Sequence, residues 1–92
     1  MTTLRVRTND NLNQIFNSRE SHAWRVNITR VMNNVTTIEI VSWDGSRTIH
    51  AQFDRFNSST RLGDGRLIIR FTNPIWLNTN IIFPSQNPVN YI

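Results

Sequence analysis

The chain contains no cysteine, so neither a disulfide nor a thiolate metal site can reinforce its core. It contains no lysine either: its ten basic residues are all arginine. Lysine is ordinarily among the commonest residues, and AT-rich codon usage does not explain its loss, because the bias that supplies asparagine and isoleucine supplies lysine too. No apolar run is long enough to cross a membrane, and the opening MTTLRVRTND has no signal-peptide core. The expectation is a protein of the reducing cytoplasm, or of a virion, with no membrane partner. Three Asn-x-Ser/Thr triplets, at Asn27, Asn34 and Asn57, carry no weight for secretion. Thirteen asparagines in a chain with 17 Ser/Thr among 92 residues yield about 2.4 such triplets by accident.

What is present is small and basic. Ninety-two residues make one domain, spanning 1–92, that buries only about 60–65% of the surface of its unfolded chain. Ten arginines against six acidic residues leave a net charge of +4, which favours an anionic partner without requiring one. Arginine differs from lysine in its planar fork, its bidentate grip on phosphate or carboxylate, and its stacking on aromatic rings. A guanidinium-bearing surface and a lineage-specific composition account for the bias equally well.

Short alternating segments dominate the pattern. In TTLRVRT, Leu4 and Val6 point one way and Arg5 and Arg7 the other, as in a half-buried strand. TNDNLNQIFNS follows, with Leu12, Ile15 and Phe16 at helical spacing, and predicts a short helix after the first strand. HAWRVNITRV alternates again, with Trp24, Val26 and Ile28 on one face. IEIVSWDGSRTIHAQF reads as a hairpin whose Asp44-Gly45 signals a two-residue type I′ loop. That loop pairs Val41 with Thr48, Ile40 with Ile49, Glu39 with His50, Ile38 with Ala51, Thr37 with Gln52 and Thr36 with Phe53. The apolar side chains then share one face, which a one-residue slip would destroy. RLIIRFT is a further strand, stopped by Asn73-Pro74. A last strand is expected around Ile81 to Phe83, followed by a loosely attached tail over 85–92. The fold class is all-β: an antiparallel sandwich or barrel of about six short strands with one short helix.

No constellation of side chains specifies an enzyme. His22 and His50 lack the companions of a zinc site, so no metal or cofactor is expected. Glu39 and His50 should be cross-strand neighbours, but a solvent-facing ion pair is the commoner form of such a pairing. SRESH places Ser, Glu and His together in sequence, whereas nucleophilic triads are assembled by tertiary geometry.

Arginine on strands is the remaining signal. Arg5, Arg7, Arg25, Arg66 and Arg70 alternate with inward apolar residues, and Arg47 sits at the hairpin tip beside Trp43. Trp24 and Trp76 read as structural, Trp76 as a corner plug, whereas Trp43 lies on the polar face next to a turn. The expectation is a non-catalytic module that binds an anionic partner, nucleic acid or a nucleotide, through these six arginines and Trp43. Two alternatives stand beside it: a self-assembling viral or phage structural protein, hence a homo-oligomer, and a lectin-like domain with Trp43 stacked on a sugar. Surface strands also need polar residues, and edge strands use charge against edge-to-edge pairing.

Overall fold

The computed structural model describes residues 2–83 and 87–92. Its elements run β1 (Thr2–Thr8), α1 (Leu12–Ser18), β2 (Glu20–Trp24), α2 (Ile28–Asn34), β3 (Val35–Ser42), β4 (Arg47–Phe53), β5 (Ser59–Thr60), β6 (Leu67–Asn78) and β7 (Val89–Tyr91). The strands form one curled sheet, a half-barrel, in the order β2-β6-β4-β3-β1-β7. Leu67 pairs with Trp24 of β2 and with Thr60 of β5, so β5 continues the β4 side of β6. The chain is mostly strand, in keeping with the all-β expectation, but the sheet is mixed.

The hairpin register is as the alternation required: Thr37 to Val41 of β3 pair with Gln52 to Thr48 of β4, residue for residue. Its turn is different. The Gly45 N–H donates to the Ser42 carbonyl at 2.9 Å, and only Gly45 of the Asp-Gly pair has positive φ, at 79°. A four-residue loop therefore replaces the type I′ loop. Both loop lengths are even, so the facing of the side chains is unchanged.

The strictly antiparallel expectation fails at β1, which runs parallel to β3 from Thr3 opposite Thr37 to Thr8 opposite Ser42. Alternation reveals which face a side chain takes, but not the direction of the neighbouring strand. A parallel pair needs a long crossover, and residues 9–34 supply it. That crossover holds the expected helix and a second, unexpected one. Asn11 caps α1 by accepting from the Asn13 and Gln14 N–H groups at 2.9 and 3.2 Å, while Leu12 and Ile15 are buried. HAWRVNITRV is not one strand. It leaves the sheet after Trp24, and Asn27 caps α2 by accepting from the Arg30 N–H at 3.0 Å. The β-branched Ile28, Thr29 and Val31 mimic a strand, yet Ile28 and Val31, three apart, both pack on the core.

Asn73-Pro74 does not stop β6. It forms a bulge: Thr72 pairs with Gln52 and Ile75 with His50, leaving Asn73 and Pro74 opposite Ala51 alone. Asn73 takes φ 52°, a conformation asparagine tolerates, and its Nδ2 donates to Gln52 Oε1 at 3.0 Å. Proline is acceptable there because a bulge interrupts the ladder. Trp76 is consequently a strand residue rather than a corner plug, stacked on Phe16 of α1 at 4.8 Å between ring centroids.

Residues 79–83 form no strand either. They cross beside the hairpin tip, where Thr79 and Ile81 donate their N–H groups to the Ser46 and Gly45 carbonyls at 2.9 and 3.1 Å. Val41 and Thr48, on the face expected to be polar, are fully buried, and the Thr48 hydroxyl lies 2.9 Å from that of Thr79. In the tail, Val89 to Tyr91 pair antiparallel with Val6 to Leu4 as β7 instead of lying loose.

The inner face collects Leu4, Val6, Ile38, Ile40, Ile49 and Phe71 under the two helices. Gly45 is fixed twice over, by its positive φ and because a Cβ there would run into the Ile81 carbonyl oxygen. Gly45→Ala is therefore expected to lower Tm by about 5 °C or more. Thr48→Asp, which buries an unpaired carboxylate, should cost at least about 2 kcal/mol. Thr36→Asp, on an exposed position of β3, should stay within about 0.5 kcal/mol of wild type. Thermal denaturation of the three variants checks the assignment, and equal losses from Thr48→Asp and Thr36→Asp would contradict it.

Candidate anion-binding cleft

The arginines singled out by alternation meet different fates. Arg5, opposite Glu39 on β3, pairs with its carboxylate at 2.8 Å. Glu39 also meets His50 Nδ1 at 3.1 Å, so the cross-strand pair is one side of a three-membered polar network. Arg70 is similarly engaged, by Glu20 at 3.2 Å and the Asn57 carbonyl at 2.6 Å. Arg7 places its guanidinium 4.2 Å from the Trp43 ring centroid and 5.3 Å from that of Phe83, and its Nε donates to the Trp43 carbonyl at 2.7 Å. Trp43 is 45% exposed, but Arg7 is stacked on its ring. Arg47 lies 4.2 Å over Trp76, capping the stack with Phe16. Arg5 and Arg7 on β1 are separated from Arg70 of β6, and from Arg66 just before it, by two intervening strands.

Arg25 and Arg66 do come together. Both line a cavity of about 470 Å³ with Ala23, Trp24, Asn87, Pro88 and Val89. A second cavity, of about 410 Å³, shares Arg25, Asn87 and Val89 with the first and is completed by Val26, Asn27, Arg30, Asn90 and Tyr91. The shared residues make these two lobes of one cleft between the crossover and β7. None of its lining residues is acidic. Arg25 is exposed and makes no ion pair among the described residues. Arg30 lies 3.9 Å over the Tyr91 ring, which fixes its planar group by stacking and leaves its donors uncommitted to a carboxylate. The Arg66 guanidinium forms a long ion pair with Asp64, Nε to Oδ2 at 3.8 Å, and that carboxylate is held chiefly by Arg61.

The cleft also concentrates unmet hydrogen-bonding capacity. Among the described residues, three buried side-chain polar atoms make no hydrogen bond, Arg66 Nε, Asn90 Nδ2 and Tyr91 Oη, although Arg66 Nε forms a long ion pair with Asp64 at 3.8 Å. All three can donate, and all three residues line the cleft, although Asn90 alternates to the face of β7 away from Val89 and Tyr91 and also lines a pocket with Arg5, Ile81 and Phe83. Buried donors without acceptors are costly and uncommon in native proteins. Strand alternation does not reveal Arg30, Asn90 and Tyr91, Arg30 because α2 has the pattern of a strand and the other two because they lie in the tail. The one available signal is the spacing of Val89 and Tyr91, which sets an apolar face on β7.

The remaining polar clusters serve local structure. In SRESH, Ser21 is buried and accepts from the Trp24 indole N–H at 2.9 Å, while exposed His22 meets Glu20 at 2.9 Å. The serine and histidine thus lie on opposite faces of β2. The hydrogen bond from His22 outweighs the desolvation penalty and, with a lesser contribution from Arg70, holds Glu20 below the usual carboxylate range. No group of three His, Asp or Glu is arranged to hold a metal among the described residues, and no helix there is long and apolar enough to cross a membrane. Comparison with protein-family models, curated proteins and solved structures finds no match to this chain.

Two turns are held by depressed carboxylates. Asp44 is pulled down to about 2 by the Ser42 hydroxyl and then by the Ser46 N–H and hydroxyl. Asp64 is pulled down to about 2 by Arg61 and then by the Arg66 N–H, which anchors the turn leading Arg66 into the cleft. Folded, both bind protons less readily than unfolded, so their stabilisation is complete above the ordinary value of 3.8 and is lost as pH falls through about 2. Tm should therefore drop on acidification across that window. The Asp44→Ala/Asp64→Ala variant should have a lower Tm at neutral pH and a shallower drop. Superimposable Tm–pH curves for the two proteins would show that these turns contribute nothing.

Proposed function

We propose that this protein is a non-catalytic module that binds a phosphate-bearing partner, nucleic acid or a nucleotide, in the cleft bounded by Arg25, Arg30 and Arg66. One observation carries the reading: Arg25 and Arg30, neither paired with a carboxylate among the described residues, line one cleft with Arg66, and none of the described residues lining it is acidic. A phosphate supplies acceptors and negative charge together, and guanidinium groups bind it through charge-assisted hydrogen bonds. Arg5 and Arg70, paired with carboxylates at 2.8 and 3.2 Å, are secondary to Arg25 and Arg30, which have no carboxylate partner among the described residues, and to Arg66, whose pair with Asp64 is longer at 3.8 Å.

Affinity for a single-stranded oligonucleotide, measured across a salt series, tests the proposal. Arg25→Gln/Arg30→Gln should weaken binding and flatten the log–log salt slope by about 0.7 for each phosphate no longer neutralised. Arg5→Gln should leave the slope unchanged. A wild-type protein with no salt-dependent affinity for any nucleic acid or nucleotide would overturn the reading.

Self-assembly, as in a virion component, is favoured by a different observation. Ile75 is 53% and Ile82 86% exposed, and large exposed apolar side chains mark interaction surfaces when they are contiguous. Light scattering should then show an oligomer that Ile82→Lys dissociates. A wild-type monomer at all concentrations would remove this second reading.

A further inference from the structure

The two lobes of the cleft differ in chemistry, and the difference points to more than a phosphate. The lobe of Arg25, Arg30, Asn90 and Tyr91 is rich in donors. The adjoining lobe is walled by Ala23, Trp24, Pro88 and Val89, with Arg66 at its polar side. At about 410 and 470 Å³, the lobes fall within the range of roughly 300–1,000 Å³ typical of small-molecule sites. A lone phosphate would fill the first and leave the second with apolar walls and the Arg66 guanidinium, whose Nε is 3.8 Å from the Asp64 carboxylate, beyond hydrogen-bond distance. An aliphatic group would cover those walls and offer the guanidinium no acceptor. A flat heterocycle does both, because its faces are apolar and its edge carries acceptors.

We propose that the cleft takes one nucleotide unit, with its phosphate between Arg25 and Arg30 and its base in the adjoining lobe, acceptor edge toward Arg66. This rests on the phosphate-binding reading above and extends it to the ring. The guanidinium fork matches two adjacent acceptors, which guanine presents as O6 and N7. The unit can come from a free nucleotide or from the end of a single strand, since both offer the same phosphate, sugar and base.

Calorimetric titration of the full chain with inorganic phosphate, ribose 5-phosphate, GMP and a 5′-phosphorylated oligonucleotide beginning with guanosine tests this. GMP should bind about tenfold or more tighter than ribose 5-phosphate, the contribution of a stacked, hydrogen-bonded base. Arg66→Gln should remove that advantage while leaving ribose 5-phosphate within about twofold of wild type. Under the proposal, GMP and the oligonucleotide both exceed ribose 5-phosphate, and whichever of the two is tighter names the source of the unit. GMP binding no tighter than ribose 5-phosphate would overturn the base assignment and leave the phosphate reading standing. Equal losses for GMP and ribose 5-phosphate in Arg66→Gln would overturn the placement of Arg66. Binding of none of the four ligands would overturn both readings. The ligand comparison on the wild-type chain decides the matter even if the variant fails to fold.

Discussion

The parallel pairing of β1 with β3 is the constraint on which the rest of the molecule depends. Two strands running the same way cannot be joined by a tight turn, so residues 9–34 must travel out of the sheet and back. That excursion carries both helices onto the inner face, where they cover Leu4, Val6, Ile38 and Ile40, and it carries Arg25 and Arg30 past the rim. It also leaves the other edge of β1 open, and β7 takes that edge. The cleft is the space between these two consequences, one wall from the crossover and one from β7.

Guanidinium stacking is the second recurrent device. Arg7, Arg19, Arg30 and Arg47 each lie over an aromatic ring. A planar, weakly hydrated cation can act as a flat plate on a ring, and a compact ammonium group cannot do so in the same way. Such stacking gives a lysine-free composition a physical use within the fold itself. At Arg7 and Arg47 the stack closes off an indole face at the convex surface or beside α1. At Arg30 it orients a cation toward the cleft without neutralising it.

The β3–β4 hairpin was legible because both arms alternate and Asp44-Gly45 punctuates them, so facing and register followed from parity alone. Even with a different turn type, the same residues meet. Strand direction was not legible, since β1 alternates identically whether its neighbour runs parallel or antiparallel. Helix α2 was hidden by its β-branched residues, and only the capping geometry of Asn27 distinguishes it from a strand. At Asn73-Pro74 a strong stop signal became a bulge, because a ladder can resume beyond a residue that lacks an N–H. The candidate site suffered most from this. Arg25 and Arg66 were visible as outward arginines, but what assembles them with Arg30, Asn90 and Tyr91 is the tertiary placement of β7, a three-residue strand in a stretch with little pattern of its own.

The most direct test of the cleft as the anion site is a map of amide and arginine Nε–H chemical shifts during titration with inorganic phosphate. If phosphate binds in the cleft, perturbations gather at Arg25 to Arg30, including the Nε–H groups of those two arginines, and at Asn87 to Tyr91. Perturbations centred instead on Arg5, Arg7, Trp43 and Arg47, or an unchanged spectrum at saturating phosphate, would contradict it.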